Sequence, residues 1–218
     1  MDRRTFLTAG TALGLLAPAH AFATGRCVSV AYGGVCTSAL AFNTVLRNFD
    51  FQHSDRWGWA TAISLIFAYY GYRVSPEAII DKAYDGMFDL TGDYVQNARQ
   101  LNRPWVDEIG RTFVSQMKPL FAVTPYAQNT AQAEMVAALD RGQPVLICDN
   151  RHAMVLTSIS YASAPSAPEI RRALVVDPWP DNDRVHELDV AQLTAPPAGK
   201  LNFAAIVQVY ATGKEATR

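Results

Sequence analysis

Trp57-Gly58-Trp59-Ala60-Thr61-Ala62-Ile63-Ser64-Leu65-Ile66-Phe67-Ala68-Tyr69-Tyr70-Gly71 is the stretch that decides the fold. Ile63, Ile66, Phe67 and Tyr70 recur at helical spacing, and Gly71 stands where a helix would stop, so a helix is predicted over residues 59–70. Most of its other positions are apolar as well. A helix without a polar face belongs in the middle of a domain.

Downstream, Ser75-Pro76-Glu77 has the form of a second helix start, with a capping serine and proline at the first helical position. That helix should run through Ile79 and Ile80 to about Ala83. A shorter one is expected over 93–101, ending before Pro104, followed by a strand or two between Trp105 and Val123. Residues 130–141 form an amphipathic helix with Ala131, Met135, Val136 and Leu139 on its apolar face and Gly142 at its end. The character then changes. Val145-Leu146-Ile147 and the runs 154–159, 173–176 and 204–210 are short, apolar and strand-like, and turn-rich segments separate them. Upstream, residues 26–48 carry little pattern and are expected to be an irregular lead-in with some extended structure. Helices first and an antiparallel sheet second indicate an α+β domain, with a helical N-terminal half around a central buried helix and a C-terminal β-sheet half.

The chain has 218 residues, half of them apolar and 18% charged, with a formal net charge of −1. That suits one domain with a well-buried core. No basic excess points to nucleic acid, and no block of like charge suggests an interaction tail.

The first residues read as a removable segment. Asp2-Arg3-Arg4-Thr5-Phe6-Leu7 is a twin-arginine pattern, followed by a mildly apolar stretch over 9–17 and small residues at Ala19-His20-Ala21. This is the layout of an export signal over residues 1–23, cleaved after Ala21 or Ala23, leaving one domain over 24–218. The apolar run is too short for a bilayer span, which needs roughly 20 apolar residues. No stable membrane insertion is therefore expected after cleavage. Loss of Arg3, Arg4 and Asp2 takes the charged side chains from 19 basic and 20 acidic to 17 and 19, so near-neutrality survives. The destination would be periplasmic or secreted, where disulfides are permitted. Cys27, Cys36 and Cys148 are an odd set, so at least one thiol is free or paired between chains. A Cys27–Cys36 bridge would close a short loop near the mature N-terminus; unpaired thiols are, narrowly, the expectation. Cys148 lies in an apolar run and reads as a small buried hydrophobe.

Thiol-dependent acyl transfer needs a thiolate, and a helix N-terminus together with a nearby imidazolium is one arrangement that lowers the thiol pKa. It also needs a histidine, an Asn or Asp to orient that histidine, and a donor for the oxyanion. The chain contains Gln52 six residues before Gly58, then Arg151-His152-Ala153-Met154-Val155-Leu156, then Leu174-Val175-Val176-Asp177-Pro178-Trp179.

In this order the chain resembles bacterial papain-like cysteine peptidases, in the branch related to bacteriocin-processing peptidases. There a Gln, a Cys-Trp-Ala run opening a helix, a His-Ala-Val-like strand and an Asp-Pro turn recur. The resemblance extends from about Phe51 to Pro180 and implies a papain-like fold. Position by position it implies that Gln52 is the oxyanion-hole glutamine, Gly58 occupies the nucleophile slot, His152 is the general base and Asp177 orients it. Trp59 and Ala60 match the residues after the nucleophile, whereas Arg151 departs from the glycine often found before the histidine. The large departure is Gly58, which has no side chain and cannot carry an acyl group.

Taken singly, each residue has a plainer explanation: Gln52 as surface polar, His152 as a bonded core histidine, Asp177-Pro178 as a strand-ending turn, Gly58 as a helix N-cap. Their joint order supports the site. Ser54, Thr61, Cys27, Cys36 and Cys148 are not placed to substitute for a thiol at position 58. His53, His152 and His186 show no metal-ligand spacing, and there is no glycine-rich phosphate loop, so neither metal nor cofactor is expected. Three functions stay open: a pseudoprotease that binds a peptide or protein in a retained cleft, an active peptidase or amidase in which Gly58 replaces a cysteine, and a structural module.

Overall fold

The computed structural model describes residues 26–30, 33–41, 43–46, 49, 54, 56–87, 94–122, 131–149, 152–162 and 168–212. Its elements run β1 (Arg26–Val30), β2 (Gly33–Ala39), α1 (Asn43–Leu46), α2 (Gly58–Tyr69), α3 (Pro76–Tyr84), α4 (Tyr94–Leu101), β3 (Arg103–Val106) and β4 (Thr112–Ala122). They continue with α5 (Ala131–Asp140), β5 (Val145–Cys148), β6 (Ala153–Ala162), β7 (Glu169–Val176), β8 (Val185–Leu188), a 3₁₀ turn (Val190–Leu193) and β9 (Phe203–Ala211). The fold class is α+β and papain-like, with the buried central helix in the expected place. The expected export signal lies outside the described residues.

α2 is the hub. Gly58–Ile63 and Leu65–Phe67 are buried, and Phe67 packs its ring 5.0 Å from both Trp105 and Phe113. Ser64 is the polar interruption, and its hydroxyl donates to the Val74 carbonyl at 2.7 Å. The helix stops through two backbone bonds, Gly71 N–H to Ala68 O and Tyr72 N–H to Phe67 O, which require Gly71 at φ +87°. α5 ends identically: Gly142 at φ +70° donates to Leu139 O, and Gln143 to Ala138 O. α3 has the expected start, with Ser75 Oγ accepting from Ala78 N–H.

Among the described residues, all nine strands belong to one antiparallel sheet. β6 is its spine. β5 and β2 pair with successive parts of β6, β7 pairs along it as well, and β9, β4 and β3 follow outward from β5. β8 extends the sheet from β7. The sheet is thus not confined to the second half of the chain, because β1–β4 join it from the first.

Two segments differ from the sequence-based expectation. Residues 26–30 and 33–39 are not an irregular lead-in but two paired antiparallel strands, with Cys27 directly opposite Cys36 and the two joined as a disulfide. The expected unpaired thiols are corrected accordingly. β2 does alternate, burying Cys36 and Ser38, and Leu40 just after it keeps the same period. The signal is hidden because Ser38, fully buried, is a serine; its hydroxyl is satisfied by Asp140 Oδ1 at 2.5 Å. β8 escapes a pattern search because only Leu188 in it is buried, as suits a strand at a sheet edge.

Candidate active site

Sheet pairing brings together residues 25 positions apart. Val155 in β6 is paired with Val176 in β7, so His152, just before β6, meets Asp177, just after β7. Nε2 of His152 lies 2.9 Å from both carboxylate oxygens of Asp177. Asp177 also accepts from Trp179 N–H at 2.9 Å and from Asn182 Nδ2 at 2.8 Å, and His186 Nδ1 stands 3.7 Å from it. Its side chain is fully buried, while that of His152 is 13% exposed.

Burial is the largest influence on the Asp177 carboxyl and would raise its pKa. The hydrogen bond from His152, the Trp179 amide, the His152 charge and Asn182 together outweigh it and hold the group below the usual carboxylate range. Asp177 is therefore ionised at neutral pH. An ionised carboxylate only accepts hydrogen bonds, so Nε2 of His152 carries a proton and the neutral ring keeps Nδ1 as its basic nitrogen. Trp179 packs beside the imidazole, with ring centroids 5.8 Å apart.

The hairpin before His152 is held from a second direction. Asp149 N–H donates to His152 O at 3.2 Å, carrying the β5–β6 ladder one step past Cys148–Ala153. Asp149 Oδ1 accepts from His152 N–H at 3.1 Å, and Oδ2 accepts from Gln192 Nε2 at 3.2 Å.

Gly58 is the first residue of α2 and is buried; the capping position belongs to Trp57, not to Gly58 as its residue type allows. Trp57 makes no side-chain capping hydrogen bond to this helix. α2 packs against β6 and β5, the strands that carry the His152 hairpin. Gln52 and Arg151 lie outside the described residues. Cys148, at the end of β5, is a free thiol whose pKa burial pushes up to about 12, with the Asp149 charge adding to the effect. Thr61 turns its hydroxyl back to Trp57 O at 3.2 Å. Among the described residues no group of three His, Cys, Asp or Glu side chains could hold a metal ion, and no helix is long and apolar enough to cross a membrane.

The sequence-based site was built from Gln52, Gly58, His152 and Asp177 and missed Asn182, Asp149 and Gln192. Asn182 sits in a turn between two aspartates, where an asparagine draws no notice. Asp149 and Gln192 are 43 positions apart, and nothing in their spacing announces contact.

The family model described as "Peptidase_C39 like family" matches residues 48–204. The chain belongs to that family. It is a family of papain-like, cysteine-peptidase-type hydrolases, and the matched span contains Gly58, His152 and Asp177. Among solved structures, the chain is similar to one titled as UfSP from C. elegans, at 18% identity and a TM-score of 0.40, over 88% of this chain and 35% of that one. It thus spans about a third of that protein's length. No curated protein matches it.

Proposed function

We propose that the protein is an exported papain-like pseudoprotease that binds a peptide or protein in the cleft of its family without cutting it. One observation carries this: the His152–Asp177 pair is fully assembled, with Nδ1 of His152 as its basic nitrogen, while the buried first residue of the adjacent helix α2 is glycine. His152 would then be the general base of the ancestral chemistry, Asp177 its orienting group, Gln52 the oxyanion donor and Gly58 the vacated nucleophile position. Without a sulfur there is no covalent acyl-enzyme route, and a histidine–aspartate pair alone is a weak hydrolytic device. The Cys27–Cys36 disulfide agrees with an oxidising destination reached through the twin-arginine signal.

The intact pair also favours a second reading. If Gly58 is a replacement of a catalytic cysteine, the parent protein is an active peptidase or amidase and the rest of its machinery is unaltered. Both readings place position 58 against His152, and Gly58→Cys tests that placement. The new thiol should have a pKa well below the ~8.5 of a free cysteine, measured by pH-dependent alkylation, and the pKa should climb when His152→Ala is added. An ordinary thiol pKa indifferent to His152 would separate the two positions and remove both readings. A reactive Gly58→Cys thiol without peptidase activity favours the pseudoprotease; recovered hydrolysis favours the second reading.

A further inference from the structure

Gln192 lies far from His152 in sequence, yet its carboxamide is the link between the 3₁₀ turn and the His152 hairpin. The turn is a fixed platform. Leu193 is buried beneath it, Asp189 Oδ1 accepts from Ala191 N–H at 3.1 Å, and Gln192 Oε1 accepts from Asp189 N–H at 3.1 Å, closing a capping box. The other end of the carboxamide, Nε2, donates to Asp149 Oδ2, and Asp149 Oδ1 takes the His152 amide. These partners settle the amide's orientation, since Asp189 N–H can only donate and the Asp149 carboxylate can only accept.

We infer that Asp149 and Gln192 are positioning residues for His152: they hold its backbone so that the ring meets Asp177 through Nε2 and presents Nδ1. This rests on the reading of His152 as the base of the family site. The two contacts are complementary, because Asp177 fixes the ring and Asp149 fixes the backbone that carries it. With either alone, the imidazole could pivot about the remaining anchor.

The donor and acceptor pattern supplies a test that ordinary destabilisation would not mimic. In Asp149→Asn, one amide oxygen must still accept from His152 N–H, which turns the new NH₂ toward the Gln192 NH₂. Flipping Gln192 only moves the clash to Asp189 N–H. In Gln192→Glu, two carboxylates face each other. In the double variant Asp149→Asn with Gln192→Glu, the donors of these contacts again meet acceptors, because the glutamate accepts from both the new amide and Asp189 N–H.

The experiment is ¹⁵N NMR of the His152 ring in the Gly58 chain, with the ring neutral. The parent should show one tautomer, protonated at Nε2. Each single variant should show mixed tautomers and exchange of the Nε2 proton about tenfold faster, and the double variant should return to the parent signature. Single variants with the parent tautomer, or a double variant no better than the singles, would overturn the inference. The readout is independent of position 58. Failure of the His152-coupled thiol in Gly58→Cys would remove the functional reading, whereas failure here removes only the positioning role.

Discussion

Both carboxylate oxygens of Asp177 lie 2.9 Å from Nε2 of His152, inside a shell closed by the Trp179 amide and Asn182. The folded pKa of Asp177 is below its unfolded value. Its contribution to stability is therefore complete above the unfolded carboxylate pKa of ~3.9 and is lost as pH falls through the lower folded value. His152→Ala removes a hydrogen bond and a charge that hold this pKa down, leaving burial opposed by Trp179 and Asn182 alone. Acid unfolding followed by circular dichroism should move to higher pH. An unchanged acid midpoint would mean that the pair is not formed in solution. Asp177→Ala, which strands several donors, should cost roughly 3–5 kcal/mol in urea unfolding.

Cys148 should be nearly inert in the folded protein. With a pKa of about 12 set by burial first and Asp149 second, only about one ten-thousandth of the thiol is ionised at pH 8. Iodoacetamide labelling with peptide mapping should leave Cys148 unmodified until the chain is denatured, and peptidase-directed thiol inhibitors should label nothing on α2. A fast, inhibitor-sensitive adduct on Cys148 would place the nucleophile there instead.

The Cys27–Cys36 disulfide ties the outermost hairpin, since among the described strands β1 pairs with β2 alone. It closes a loop with a sequence separation of 9, for which chain entropy gives about 2–3 kcal/mol. Replacing both cysteines by serine should lower stability by up to that amount while leaving the His152 ring signals in place. Loss of the His152–Asp177 signature in this variant would show that the hairpin supports the site.

Export should depend on Arg3 and Arg4. The mature chain is expected to begin near Phe22 or Thr24, by intact mass of periplasmic material, and replacing both arginines by lysine should strongly reduce the exported fraction. A dominant species that keeps Arg3 and Arg4, or one confined to the cytoplasm, would refute the signal.

Much of this protein was determined locally and could be read from the sequence. α2, α3, α4 and α5 are specified by apolar spacing, by Ser75-Pro76 and by Gly71 and Gly142, interactions that act within a few residues. Strands β5, β6 and β9 and the 173–176 part of β7 declare themselves as apolar runs because both faces there are largely covered. The order of Gln52, Gly58, His152 and Asp177 was legible through resemblance and not through any one residue. What the tertiary structure alone decided is pairing. β2 hides as a strand because its central inward residue, Ser38, is compensated by Asp140, a partner 102 positions away. β8 hides because an edge strand needs only one buried side chain. His152 meets Asp177 only through the β6–β7 register, and Asp149 meets Gln192 only because the 3₁₀ turn packs against β7, the strand beside β6. A hydrogen bond between distant residues leaves no periodicity in the chain: its energy depends on a geometry that exists only once the sheet has formed.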